Sequence, residues 1–191
     1  MIAHIAPDFT LLDVWALPVH GGPEDFASLL EVMGDLDVAD SGPVTTRALF
    51  AVRYRIGGWF GWDEASEPRP IPGCGETTLS VRLPEPLRGS AASLAIGNRM
   101  QRAAGGFVPL YRTHDEWAAE ISNGTVHGVM HVGWVEQSQG QYRAQMGVYV
   151  KPRGRLGEIY LKLIEPFRHL IVYPALTRYI GRAWDLSRDP E

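Results

Sequence analysis

Residues 116–150 constrain this chain more than any other stretch, because turn signals cut them into alternating runs that fit an antiparallel sheet. Glu116–Ser122 and Thr125–Glu136 flank Asn123-Gly124. That dipeptide favours a two-residue type I′ turn, in which both central residues need positive φ. The register then follows by counting: Ser122 faces Thr125, Glu120 faces His127, Ala118 faces Val129 and Glu116 faces His131. Trp117, Ala119, Ile121, Val126, Gly128, Met130, Val132 and Trp134 share the opposite face. Gln141–Val150 continues the alternation, with Tyr142, Ala144, Met146, Val148 and Val150 on the apolar side. Arg143, Gln145, Tyr149 and Lys151 lie on the other side. One apolar face per strand predicts a sheet covered on one side only.

The cover is expected from Leu156–Trp184. Leu156, Tyr160, Leu163, Phe167, Leu170 and Pro174 step by four and three, which is one helical stripe. Glu158 and Lys162, and Glu165 and His169, are four apart on the outer side and suit ion pairing. Pro166 and Pro174 each remove a backbone bond and crowd the preceding turn, so the helix should be kinked or segmented. On the sheet, Trp117, Met130, Trp134, Tyr142 and Met146 are large, while Ala119, Gly128 and Ala144 among them are small. Either Tyr160, Leu163 and Phe167 fill those gaps, or a cavity lined by methionine and aromatic side chains remains.

Upstream, Thr10–Val19 reads as a strand that stops at Pro18 and Gly21-Gly22-Pro23. Pro23–Met33 reads as a short amphipathic helix with Pro23 in its first position and Glu24 and Asp25 in its first turn. Thr45–Phe60 reads as a second helix, with Leu49, Val52, Ile56 and Phe60 on one side. Arg53 lies beside that stripe, either as an arginine that buries its stem and keeps its head in water or as a cation that reaches the cavity or a carboxylate. Asp63–Gly75 is a proline- and glycine-rich loop. Thr77–Leu83 alternates like a strand closed by Pro84 and Pro86. Arg88–Gly106 is rich in small residues and reads as a short helix or a flap. Phe107–Arg112 is a further strand.

Length and composition bound the function. The 191 residues, 45% apolar and 21% charged, suit one globular domain over residues 1–191. A net charge of −4 without a Lys/Arg cluster argues against nucleic acid. Cys74 is the only thiol, so no intramolecular disulfide forms, and it sits in a loop without a base in sequence reach. The N-terminus lacks a basic region followed by an apolar core, and no apolar run reaches a membrane span, which points to the cytoplasm.

Ionisable groups offer two clusters. His127 and His131 are four apart on a strand, roughly 13 Å, so one metal ion cannot take both. Each can pair with its cross-strand glutamate on the polar face, as solvated pairs or a protein contact surface. Glu165, Arg168 and His169 form either an acid–base group or a charged outer face. The chain has no phosphate-binding glycine loop, zinc pattern or nucleophile elbow. No catalytic residue is assigned, and nothing calls for a metal or cofactor.

Three segments carry a family resemblance: Arg47-Ala48-Leu49-Phe50-Ala51-Val52-Arg53; Asn123-Gly124-Thr125-Val126-His127 with His131; and Ile164-Glu165-Pro166-Phe167-Arg168-His169-Leu170-Ile171-Val172-Tyr173-Pro174. They resemble an uncharacterised bacterial family, a domain of unknown function, within the START-like (SRPBCC) helix-grip superfamily. Birch pollen allergen relatives and aromatase/cyclase proteins are in that superfamily. The resemblance runs from about Thr10 to Trp184. It implies an α+β fold, a curved antiparallel sheet packed on a long kinked C-terminal helix, with two short helices after the first strand. It also implies a cavity for lipids, polyketides or similar molecules; fold likeness alone does not establish such a function.

Three functional readings follow. The first is a carrier of a small hydrophobic molecule, lined by Trp117, Met130, Trp134, Tyr142, Met146, Tyr160 and Phe167, with Arg53 and a tyrosine as polar contacts. The second is an enzyme of cyclase, hydratase or hydrolase type in the same cavity. A register slip of one residue would turn the Glu–His pairs inward and favour it. The third is a homodimeric interaction module using the exposed sheet face or edge.

Overall fold

A computed structural model describes residues 1–35, 69–88 and 107–188. The expected helix Thr45–Phe60, including Arg53, and all of Arg88–Gly106 between Arg88 and Phe107 lie outside the described residues. Five strands form one antiparallel sheet: β1 (Thr10–Gly21), β2 (Val108–Arg112), β3 (Glu116–Ser122), β4 (Val126–Ser138) and β5 (Gln141–Pro152), in the order β1-β5-β4-β3-β2. A short helix α1 (Ile2–Ile5) precedes β1. After β1, Pro23–Asp25 forms a 3-10 turn that leads into α2 (Phe26–Asp35). The C-terminal helix has three parts: α3 (Gly154–Phe167), a π-helical turn (Arg168–Val172) and α4 (Tyr173–Arg188). The fold is therefore α+β, with helices after the first strand and a long C-terminal helix on the sheet. None of the described helices is long and apolar enough to cross a membrane.

The β3–β4 hairpin keeps the expected faces but not the expected register. Ser122 pairs with His127, Glu120 with Val129 and Ala118 with His131, a shift of two residues. Neither Asn123 nor Gly124 has positive φ, so the type I′ turn does not form. Instead, the Asn123 side-chain oxygen accepts the backbone N–H groups of Thr125 and Val126, both at 2.9 Å, and moves the two-residue tip to Gly124-Thr125. An even shift leaves every side chain on its face. Arg153 locks this tip: its Nε donates to Asn123 O at 2.7 Å and its Nη2 to Ser122 Oγ at 2.8 Å.

The sheet has two covered faces, not one. On the first, here the helix face, Leu17 and Val19 of β1, Trp117, Val132, Trp134 and Met146 pack against α2 and α4. Phe26, Leu29, Leu30 and Met33 come from α2, and Tyr173, Ile180 and Trp184 from α4. Ala119 and Ala144 are fully buried in this cluster, while Leu163, one of the side chains expected to fill the gaps between them, is exposed. On the second face, Ile2, Ile5 and Phe9 join Ile71, Leu79 and Leu83 over Tyr111, Ala118 and Val129.

Thr77–Leu83 is not a strand. Leu79–Arg82 is a 3-10 turn capped by the Thr78 side chain, which accepts Ser80 N–H. Leu79 and Leu83, four apart, are the buried anchors, while Val81 between them is 49% exposed. Helical spacing, not alternation, fits that pattern.

Candidate functional site

Asp13 is an anion on the helix face that the alternation of β1 does not announce. Leu11 pairs with Tyr149, but Asp13 pairs with Val148, so a β-bulge lies between them. The inserted residue reverses the parity of the strand. Leu11 therefore reaches toward Gly147 on the second face, whereas Asp13 turns to the helix face with Trp15 and Leu17. The row across the sheet is then Asp13, Val148, Met130 and Ala119, and the next is Trp15, Met146, Val132 and Trp117.

Above Asp13 stands the π-helical turn. Pro174 has no N–H and its ring crowds the carbonyl four residues back, so the α-helical ladder opens just before it. The Tyr173 N–H bonds five residues back to Arg168 O. The wider turn puts Arg168, His169 and Tyr173 over one carboxylate. Tyr173 OH donates to Asp13 Oδ2 at 2.9 Å, Arg168 Nη2 lies 3.3 Å from the same oxygen, and His169 Nε2 lies 2.9 Å from Oδ1. The side chains of Asp13 and Arg168 are only 5% and 12% exposed, while that of His169 is 40% exposed. Burial, then the Asp13 charge and its hydrogen bond, push the Tyr173 hydroxyl well above the usual tyrosine range, so it stays a donor.

Two features set the electrostatics and the geometry of this centre. Arg168 Nε and Nη1 are buried and have no hydrogen-bond partner among the described residues, although a buried guanidinium normally uses its donors. The His169 ring is fixed by Trp15 at 5.7 Å and by the Tyr173 ring at 5.9 Å between centroids. With Nε2 directed at Asp13, its Nδ1 points away from the carboxylate.

The helix above this row touches the sheet unevenly. In α4, Ile180, Gly181 and Trp184 are buried. In α3 only Gly157 is buried; a Cβ there would collide with Thr125 O and sit 3.1 Å from Pro152 Cβ. Beyond Gly157, the inward residues Tyr160, Leu161, Ile164 and Phe167 are only half-buried, as are Met130 and Val148 beneath. Leu156, Leu163 and Leu170 of the expected stripe face outward and are exposed.

The residues expected to line a cavity therefore separate. Trp117, Trp134 and Met146 are sunk in the packed core, and Met130, Tyr142, Tyr160 and Phe167 are half-buried. Tyr142 stacks on Trp134 at 6.2 Å, six residues along β5 from Val148, or roughly 20 Å from the Asp13 row. Arg168 and His169 reach the site, and Glu165 of the same expected group is exposed. Nothing in the sequence singled out Asp13; the proline five residues after His169 was the available signal for Tyr173 and the π turn.

The Glu–His pairs exist, but they are covered by the second-face layer. His127 Nε2 lies 2.9 Å from Glu120 Oε2. Glu120 also accepts Leu79 N–H at 2.9 Å and the Thr78 hydroxyl. This fully enclosed pair ties residues 78–79 to the sheet. His131 Nε2 lies 3.4 Å from Glu116 Oε2, which accepts Tyr111 OH at 2.9 Å. Burial holds the His131 imidazole below its ordinary pKa, against the pull of the Glu116 charge.

Residues 5–175 match the profile of a family described as Protein of unknown function (DUF2867). No curated protein and no solved structure matches the chain.

Proposed function

The chain belongs to the DUF2867 family, and we propose that it binds a small apolar molecule bearing a carboxylate or carbonyl group between the sheet and α3. The observation that carries this reading is Arg168. Two buried donors without an acceptor among the described residues cost free energy, which an acceptor on a ligand would restore. The half-buried side chains of Met130, Val148, Tyr160 and Phe167 offer the apolar body a soft, adaptable surface. Trp117 and Met146 back that surface from the core. The order of elements supports a helix-grip fold and, with it, the START-like resemblance and its apolar ligands. Native mass spectrometry of the purified protein, followed by organic extraction, tests the reading. The expected result is a stoichiometric apolar adduct with a carboxyl or carbonyl group, lost in Arg168→Leu. An adduct held equally by that variant would place the ligand elsewhere.

One observation favours a homodimer as a second reading. Leu156, Ile159 and Leu163 form an outward row on α3, 79%, 56% and 75% exposed, which water solvates poorly. Light scattering at micromolar concentration separates the readings. A dimer that Leu163→Glu dissociates supports self-association, and a monomer removes it.

A further inference from the structure

We infer that Asp13 and His169 form a general-base pair that moves a proton on a carbonyl compound held by Arg168. The inference rests on the binding reading above and adds chemistry to it. An aspartate on one imidazole nitrogen fixes the ring's tautomer, leaving the other nitrogen as a lone pair. Here Asp13 Oδ1 takes His169 Nε2 at 2.9 Å. The other carboxylate oxygen is held by Tyr173 and Arg168, so Asp13 cannot turn away. Trp15 and Tyr173 hold the ring plane. Nδ1 has no protein partner among the described residues, and the side chain is 40% exposed, which gives a proton on the ring a route to water.

Asp13 has ion-pair and hydroxyl partners enough without His169. A ring held this firmly, with one nitrogen unpartnered among the described residues, is more than neutralisation requires. Arg168 supplies the second part, one residue away, with buried Nε and Nη1 donors that no described residue claims. Among the described residues no serine, threonine or cysteine bonds to His169, and Cys74 packs with the second-face layer. A base and a cation without a nucleophile suit proton transfer beside a carbonyl. His169 Nδ1 takes a proton from the carbon next to the carbonyl. The C–H electron pair becomes a C=C bond, and the carbonyl π pair moves to oxygen, where Arg168 holds it. Return of a proton from the imidazolium restores the ketone.

The test uses 4-phenylbutan-2-one in D2O, with binding read by saturation-transfer NMR and exchange by loss of the α-proton signals. The wild-type protein should bind the ketone and exchange those protons about 100-fold or more faster than His169→Gln, the usual scale of general-base catalysis. The glutamine amide can still donate to Asp13, so the variant should bind as well as the wild type. Binding without exchange above buffer, or equal exchange by His169→Gln, overturns the inference and leaves the binding reading standing. If the ketone fails to bind while the anionic dye 8-anilinonaphthalene-1-sulfonate binds, the site belongs to anions and the inference falls. If neither binds, both readings fall.

Discussion

Asp13→Ala is the most informative single change, because it removes the one anion that Arg168 pairs with among the described residues. The Arg168 side chain is 12% exposed, and its Nε and Nη1 already have no acceptor among the described residues. After the substitution Nη2 loses its carboxylate at 3.3 Å, and Tyr173 OH loses its acceptor at 2.9 Å. Removing one member of a buried pair typically costs about 3–5 kcal/mol, since the other charge stays desolvated. The long arginine stem allows some rehydration, so a loss near 3 kcal/mol is expected. With a urea slope of about 1–3 kcal/mol/M, the midpoint falls by roughly 1–3 M. Arg168→Leu should cost less, because Asp13 retains His169 and Tyr173. The double variant Asp13→Ala/Arg168→Leu should be more stable than Asp13→Ala alone, because no orphaned charge remains. A loss below about 1 kcal/mol for Asp13→Ala, or a double variant equal to the sum of the singles, would show that Arg168 does not depend on this carboxylate.

Two further outcomes test the scaffold. Gly157→Ala forces α3 off Thr125 O and Pro152; stability should fall by about 1–3 kcal/mol despite the ~1 kcal/mol gain in helix propensity, and an unchanged or raised urea midpoint would contradict the close approach. For His131, burial lowers the folded pKa, so the unfolded chain binds the proton first. Stability should therefore be fully present above about pH 6.5 and decline as pH falls through the folded value. His131→Gln should flatten that part of a urea-midpoint profile; an identical profile would remove His131 as the cause.

The faces of the sheet were legible in residues 116–150 because side-chain alternation survives any even register shift. Register itself was not, because the Asn123 side chain took over the turn bonds that Asn-Gly usually satisfies through positive φ. Glu120 and His127 were legible as a pair but not as a buried one. Their cover comes from Phe9, Thr78 and Leu79, far away in sequence. The proline-driven break in the C-terminal helix was legible, and Pro174 marks where the π turn ends. Asp13 was hidden because a single inserted residue at the bulge reverses the alternation on which face assignment depends. The outward leucines of α3 misled for a related reason: an apolar stripe marks a surface that avoids water without naming what covers it.

The proposed function requires Arg168 to anchor an acceptor group while the surface around Met130 and Phe167 holds an apolar body. Parallel fluorescence titrations with 8-anilinonaphthalene-1-sulfonate and its uncharged counterpart N-phenyl-1-naphthylamine test it most directly, on the wild type and on Arg168→Leu. A hydrogen bond to a charged group contributes about 1.5–3 kcal/mol, so the sulfonate should bind the variant roughly 10- to 150-fold more weakly. The uncharged dye should bind both proteins alike. Equal sulfonate affinity for the two proteins, or no saturable binding to the wild type, would contradict the claim.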